Sequence, residues 1–146
     1  MKCPADYPEL ADSMLHQLAI VCEEHNITYF ISGGTCLGFY RSGTYIPDDH
    51  DLDVAMIFSQ HCSKLPLALY SHGLVPDSHG EHENRHYWKD NMLLDITWVE
   101  PTGFYAAHEI LNGYPVPTPV EEYLLWKYGD TWKTPMKEGY PFRHEE

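Results

Sequence analysis

Apolar side chains recur at three- and four-residue steps near the start of the chain, at Leu10, Met14, Leu18, Val21 and Cys22, with His25 continuing the series. That is the period of a helix with one buried stripe, and it predicts a first helix ending near Asn26. The pattern then shortens. Thr28-Tyr29-Phe30-Ile31 is a β-branched and aromatic run halted by Gly33-Gly34, which predicts a short buried strand entering a tight turn. Residues 35–41 read as a short helix. Residues 51–58 predict a second strand with an acidic end and an apolar end. Ser59 suits the N-cap of a following helix and Gly73 its C-terminal stop. Residues 74–76, 85–89 and 93–99 predict three further strands, with Lys89-Asp90-Asn91 turning the last two into a hairpin. Thr118-Pro119-Val120-Glu121 offers an N-cap, a first-turn proline and a glutamate at the third position, so a last helix should run to Tyr128 and stop at Gly129.

The predicted order is α-β-α-β-α-β-β-β-α, an α+β (α/β-like) arrangement in which helices pack on one mixed sheet. Its 146 residues suit a single domain, since a chain of that size can bury roughly 70% of its unfolded surface. No repeat or linker divides them, and residues 136–146 read as a polar tail. A content of 43% hydrophobic and 14% aromatic residues excludes a disordered chain. The balance of 9 Lys and Arg against 22 Asp and Glu gives a formal charge of −13, which opposes a surface for coating nucleic acid. Nothing approaches the roughly 18 apolar residues of a membrane span. The prolines and acid of Met1 to Pro8 do not resemble a signal peptide, and Cys3, Cys22, Cys36 and Cys62 lack metal-binding spacing. Free thiols in a cytoplasmic protein are the expectation.

Chemistry enters at Asp51-x-Asp53. Side chains two apart on a strand share a face, so two carboxylates are forced together. They need a cation, a shared proton or an exposed strand end, and magnesium, an oxygen-seeking ion that bridges carboxylates to phosphates, is a natural partner. Ser32-Gly33-Gly34-Thr35 ahead of a helix lets backbone approach a phosphate while helix N–H groups face it. Asp95 stands alone inside the apolar run Leu93-Leu94-Asp95-Ile96-Thr97-Trp98, where a carboxylate is costly unless paired or metal-bound.

Three acids on neighbouring strands near a glycine-rich turn resemble the nucleotidyltransferase superfamily typified by DNA polymerase beta. The run Gly33-Gly34-Thr35-Cys36-Leu37-Gly38-Phe39-Tyr40-Arg41, then Gly43, then Ile46-Pro47-Asp48-Asp49-His50-Asp51-Leu52-Asp53-Val54, resembles the signature of the LicD/fukutin-related family, roughly GGTLLGxxR and IPWDDDIDV. Val116-Pro117-Thr118-Pro119, Glu121-Glu122-Tyr123-Leu124 and Tyr128-Gly129-Asp130 resemble that family's C-terminal pattern, so the likeness spans about residues 31–135. It departs at residues 47–50, where the family's tryptophan is missing and His50 replaces a carboxylate. The resemblance implies metal-dependent transfer of a phospho-alcohol, such as phosphocholine or ribitol phosphate, from a CDP-linked donor to a glycan or smaller hydroxyl acceptor. It implies that Asp51 and Asp53 hold Mg2+ or Mn2+, and that Asp95 helps hold a second ion and orients or deprotonates the attacking hydroxyl, while Asp49, placed on the Asp51 face by strand alternation, would assist the metal. Ser32, Gly33, Gly34 and Thr35 would cradle the donor diphosphate, and Arg41 would neutralise the transferred phosphate.

Two other readings stay open: an NTP-dependent nucleotidyltransferase acting on a small molecule, and a catalytically silent binding module of the same fold. His79, His82 and His86 read better as a polar loop than as a zinc site, because the spacing supplies no fourth ligand. Tyr123, Trp126, Tyr128 and Trp132 read as helix–sheet packing, and Glu121-Glu122 as acids suited to a helix N-terminus.

Overall fold

The structure, a computed structural model, describes residues 1–77 and 85–135. The expected first helix is α1 (Pro8–Glu24), which buries Ala11, Met14, Leu15, Leu18, Val21 and Cys22 along one stripe. There follow β1 (Tyr29–Ile31), α2 (Gly33–Ser42), β2 (Asp51–Ile57), α3 (Leu65–Ser71), β3 (Val75–Pro76), β4 (His86–Lys89), β5 (Met92–Val99), β6 (His108–Leu111), β7 (Tyr114–Pro117) and α4 (Val120–Tyr128). Five strands form the mixed sheet in the order β1-β2-β5-β4-β3. The central pair β2–β5 is parallel and its neighbours pair antiparallel. A parallel pair needs cover on both faces, and Leu52, Val54, Ala55, Met56 and Ile57 of β2 are accordingly all buried. Helix α2 packs on β2 and against α4, while α3 packs on α1 and β3.

The α+β class and mixed sheet agree with the sequence pattern, but four local expectations are corrected. Gly33 and Gly34 form the first turn of α2 and are not a turn ahead of it. Ser59 caps no helix: residues 58–60 make one 3-10 turn, and α3 begins only at Leu65, beside a proline suited to a first helical turn. Gln60 is used elsewhere, its carboxamide oxygen accepting the Thr28 N–H at 2.5 Å. Thr118 is not the cap of α4; Pro119 takes that place, and Glu109 of β6 accepts the Val120 N–H at 3.0 Å and the Thr118 hydroxyl at 2.6 Å. Lastly, the β6–β7 hairpin was not expected. It turns on Asn112-Gly113, both at positive φ (53° and 84°), and lies against β1. The expected hairpin at Asp90-Asn91 is present, with φ of 48° and 68°.

Candidate active site

The β2–β5 register sets Asp53 opposite Asp95, and the β4–β5 register sets Asp95 opposite His86. Residues opposite one another in a sheet share a face, so one row across three strands reads Asp53, Asp95, His86, with Asp51 two positions away on the same face. Asp49 arrives differently. β2 begins at Asp51, so strand alternation does not reach Asp49; it sits in a turn after Asp48 at φ 65°, with its N–H donating to the Ile46 carbonyl at 3.2 Å. Through that turn one carboxylate oxygen each from Asp49, Asp51 and Asp53 come within 4.8 Å of one another. Asp95 is outside this group.

The start of α2 is stapled to the same strand. Gly34 N–H donates to Asp53 Oδ2 at 3.0 Å, Asp53 N–H donates to the buried Thr35 Oγ1 at 2.9 Å, and Ser32 N–H donates to the Asp53 carbonyl at 3.0 Å. Gly33 N–H donates to the Tyr123 hydroxyl of α4, also at 3.0 Å. A Cβ on Gly34 would stand 2.7 Å from Asp49 Oδ2; one on Gly33 would stand 2.9 Å from Asp53 Oδ2, and Gly33 has φ +50°. The visible role of the two glycines is thus to let a helix N-terminus close on two carboxylates, with both amides engaged by Asp53 and Tyr123.

Burial, then the charges of Asp51, Asp49 and Asp95, push the Asp53 carboxyl well above the usual range, and the Gly34 N–H opposes them only in part. Three converging carboxylates whose mutual repulsion already raises a proton affinity are a suitable donor set for a hard divalent cation. Asp95 has different company: Arg85 Nη2 lies 3.8 Å from Oδ1 and His86 Nε2 3.5 Å from it, while His86 Nδ1 lies 3.8 Å from Asp77 Oδ2.

Arg41 does not join the acids. Its Nη1 donates to the Trp132 carbonyl at 2.9 Å, about two helical turns, or ~10 Å of axial rise, beyond Gly34. His50 is exposed, with Nδ1 3.3 Å from Cys3 Sγ. His79 and His82 lie outside the described residues, as does the 136–146 tail, whereas His86 is a strand residue facing Asp95. The C-terminal aromatics do pack: Tyr123, Tyr128 and Trp132 are buried, and Phe104, Tyr123 and Trp126 contact one another. Sequence reasoning missed the Tyr123 hydroxyl bond to Gly33, the Asp77–His86 contact, and Lys127, which is only 6% exposed and one helical turn beyond Tyr123. A lysine within the run Tyr123-Leu124-Leu125-Trp126-Lys127-Tyr128 was the available signal for Lys127. All four cysteines are free thiols, and burial pushes those of Cys22 and Cys36 up to about 12. Among the described residues no helix is long and apolar enough to cross a membrane.

Residues 26–138 match the family described as LicD/FKTN/FKRP, nucleotidyltransferase domain. Ribitol-5-phosphate transferase FKTN of Homo sapiens is 27% identical over 156 residues, a match that covers 87% of this chain and 34% of that protein. The Macaca fascicularis protein gives the same identity and coverage, and the Mus musculus protein is 26% identical over 160 residues. The chain spans about a third of the length of these relatives. Among solved structures, the antibiotic-resistance factor ANT(2'')-Ia in solution superimposes with a TM-score of 0.52 at 16% identity, covering 72% of this chain and 62% of that one. Its crystal structure in complex with adenylyl-2''-tobramycin gives 0.53 at 17% identity, covering 78% and 71%. At these identities the likeness shows a shared nucleotidyltransferase fold.

Proposed function

Because the chain belongs to the LicD/FKTN/FKRP nucleotidyltransferase family, we propose that it transfers a phospho-alcohol of the ribitol-phosphate or phosphocholine type from a CDP-linked donor to a glycan or smaller hydroxyl acceptor. The observation that carries this reading is the convergence of Asp49, Asp51 and Asp53 under the glycine-bearing start of α2. Asp51 and Asp53, with Asp49, would hold Mg2+ or Mn2+, which supplies charge neutralisation at the donor's phosphates. Ser32, Gly33, Gly34 and Thr35 fix the start of α2 against those acids, with the Gly33 and Gly34 amides engaged by Tyr123 and Asp53. Arg41, about two helical turns further along the same helix with its Nη1 donating to the Trp132 carbonyl, is given no part in this transfer. Asp95 orients the acceptor hydroxyl and accepts its proton as the new O–P bond forms; the bond to CMP breaks, and CMP leaves with its electron pair. Rate enhancement on this reading comes mainly from fixed charges and positioning.

A thermal-shift panel tests the reading, using CDP-ribitol, CDP-choline, CTP and ATP with and without Mg2+ or Mn2+, on the wild type and on Asp51→Asn/Asp53→Asn. Ligand binding to the native state raises the melting temperature. The expected result is a metal-dependent shift with a CDP-alcohol that vanishes in the double variant. A shift with ATP or CTP alone would replace the proposal with nucleotidyl transfer, and no shift with any nucleotide would replace it with a silent binding module.

A further inference from the structure

On the β4 side of the Asp53–Asp95–His86 row the sheet changes character. His86 is 17% exposed at its side chain and lies between Asp77, 13% exposed, and Asp95, 23% exposed. One ring nitrogen faces each carboxylate, Nε2 at 3.5 Å from Asp95 Oδ1 and Nδ1 at 3.8 Å from Asp77 Oδ2. The backbone holds the pair together, since Asp77 N–H donates to the His86 carbonyl at 2.9 Å. Asp95 Oδ1 is buried without a hydrogen bond among the described residues, and the basic groups near it there are His86 and Arg85.

The other side of Asp95 is one strand spacing, ~4.8 Å, from Asp53. A rotation about χ1 between staggered positions would swing the Asp95 carboxylate by several ångströms toward that strand. A cation bound by Asp49, Asp51 and Asp53 would favour that swing, because each added carboxylate strengthens a hard-ion site. The oxygens that converge come from those three acids, while Asp95 Oδ1 lies 3.5 Å from His86 Nε2. We propose that His86 is a positioning residue: braced by Asp77, it retains the Asp95 carboxylate on the β4 side, outside the metal group, where it addresses the acceptor hydroxyl. This rests on reading Asp49, Asp51 and Asp53 as the metal site, and it departs from the expectation that Asp95 is itself a metal ligand.

A histidine that merely fills space is replaceable by an apolar side chain of similar size, whereas a positioning histidine needs its polar atom toward Asp95. His86→Leu removes that atom and His86→Gln restores an amide close to the place of Nε2. The experiment is calorimetric titration of Mn2+ into the full chain as wild type, His86→Leu, His86→Gln, Asp95→Asn and His86→Leu/Asp95→Asn. The expected result is severalfold tighter Mn2+ binding in His86→Leu, because Asp95 is released to the ion, with wild-type affinity in His86→Gln and in the double variant. Unchanged or weaker binding in a cooperatively folded His86→Leu protein would overturn the proposal. Should His86→Leu not fold, Asp95→Asn decides: wild-type affinity supports the proposal, and severalfold weaker binding makes Asp95 a ligand and ends it. If the wild type binds Mn2+ no better than Asp51→Asn/Asp53→Asn, the metal reading falls first, and this inference with it.

Discussion

Asp53 and Asp95 are register partners on parallel strands, yet different groups surround them. Around Asp53 the chain gathers Asp49, Asp51 and Asp95, the Gly34 N–H donates to its Oδ2, and burial together with those charges holds the Asp53 carboxyl above its usual range. Around Asp95 it gathers Arg85 and His86, with Asp77 behind the imidazole. Neighbouring strands thus carry one acid crowded by other carboxylates and another that faces a guanidinium and an imidazole. An excess of buried like charge is destabilising unless a ligand offsets it, so the first neighbourhood has the character of a binding site.

The sharpest way to break the contrast is to remove the excess. Asp51→Asn/Asp53→Asn should abolish stabilisation by Mn2+ and lower transfer by at least about a hundredfold, the scale on which fixed catalytic charges act. Retention of full transfer would remove these acids from the chemistry. Closing the glycine gap comes next. Gly33→Ala must accept φ +50° and a Cβ 2.9 Å from Asp53 Oδ2, and urea unfolding should show a loss of about 1–3 kcal/mol. A neutral result would mean that helix α2 does not press on the acids as described. A smaller effect is expected from Tyr123→Phe, which leaves the Gly33 N–H without its acceptor at a cost of about 1–2 kcal/mol. Smallest of all is Arg85→Gln on the compensated side. Its side chain is half exposed, so stability should change by less than about 1 kcal/mol.

What the sequence disclosed follows the range over which each interaction acts. The Asp51–Asp53 pairing needs only the period of a strand, and the placing of Asp95 needs only an apolar run interrupted by one acid. The alignment of Asp53 with Asp95 depends on how two strands distant in sequence slide against each other, which no local pattern states. Asp49 was expected to reach the site by strand alternation and reaches it instead through a turn, where Asp48 adopts a positive φ. The β6–β7 hairpin had a signal in Asn112-Gly113, but Pro115 and Pro117 argue against a strand, and the exposed His108, Glu109 and Ile110 show no alternation of burial. Glu109 escaped notice as the cap of α4 because it belongs to that same unrecognised strand.

Stability against pH for the metal-free wild type, relative to metal-free Asp53→Asn, tests the crowding of carboxylates around Asp53 most directly. The folded chain binds a proton at Asp53 to higher pH than the unfolded chain, whose carboxyl has the ordinary value near 4. The penalty for an ionised Asp53 is therefore full at neutral pH and is relieved as the pH falls through the raised value. The predicted result is a wild type that gains stability relative to Asp53→Asn from pH 7 toward pH ~4, with saturating Mn2+ reversing the order at pH 7. A metal-free difference that stays flat or declines toward acid, with no response to Mn2+, would contradict a cation site built on Asp49, Asp51 and Asp53.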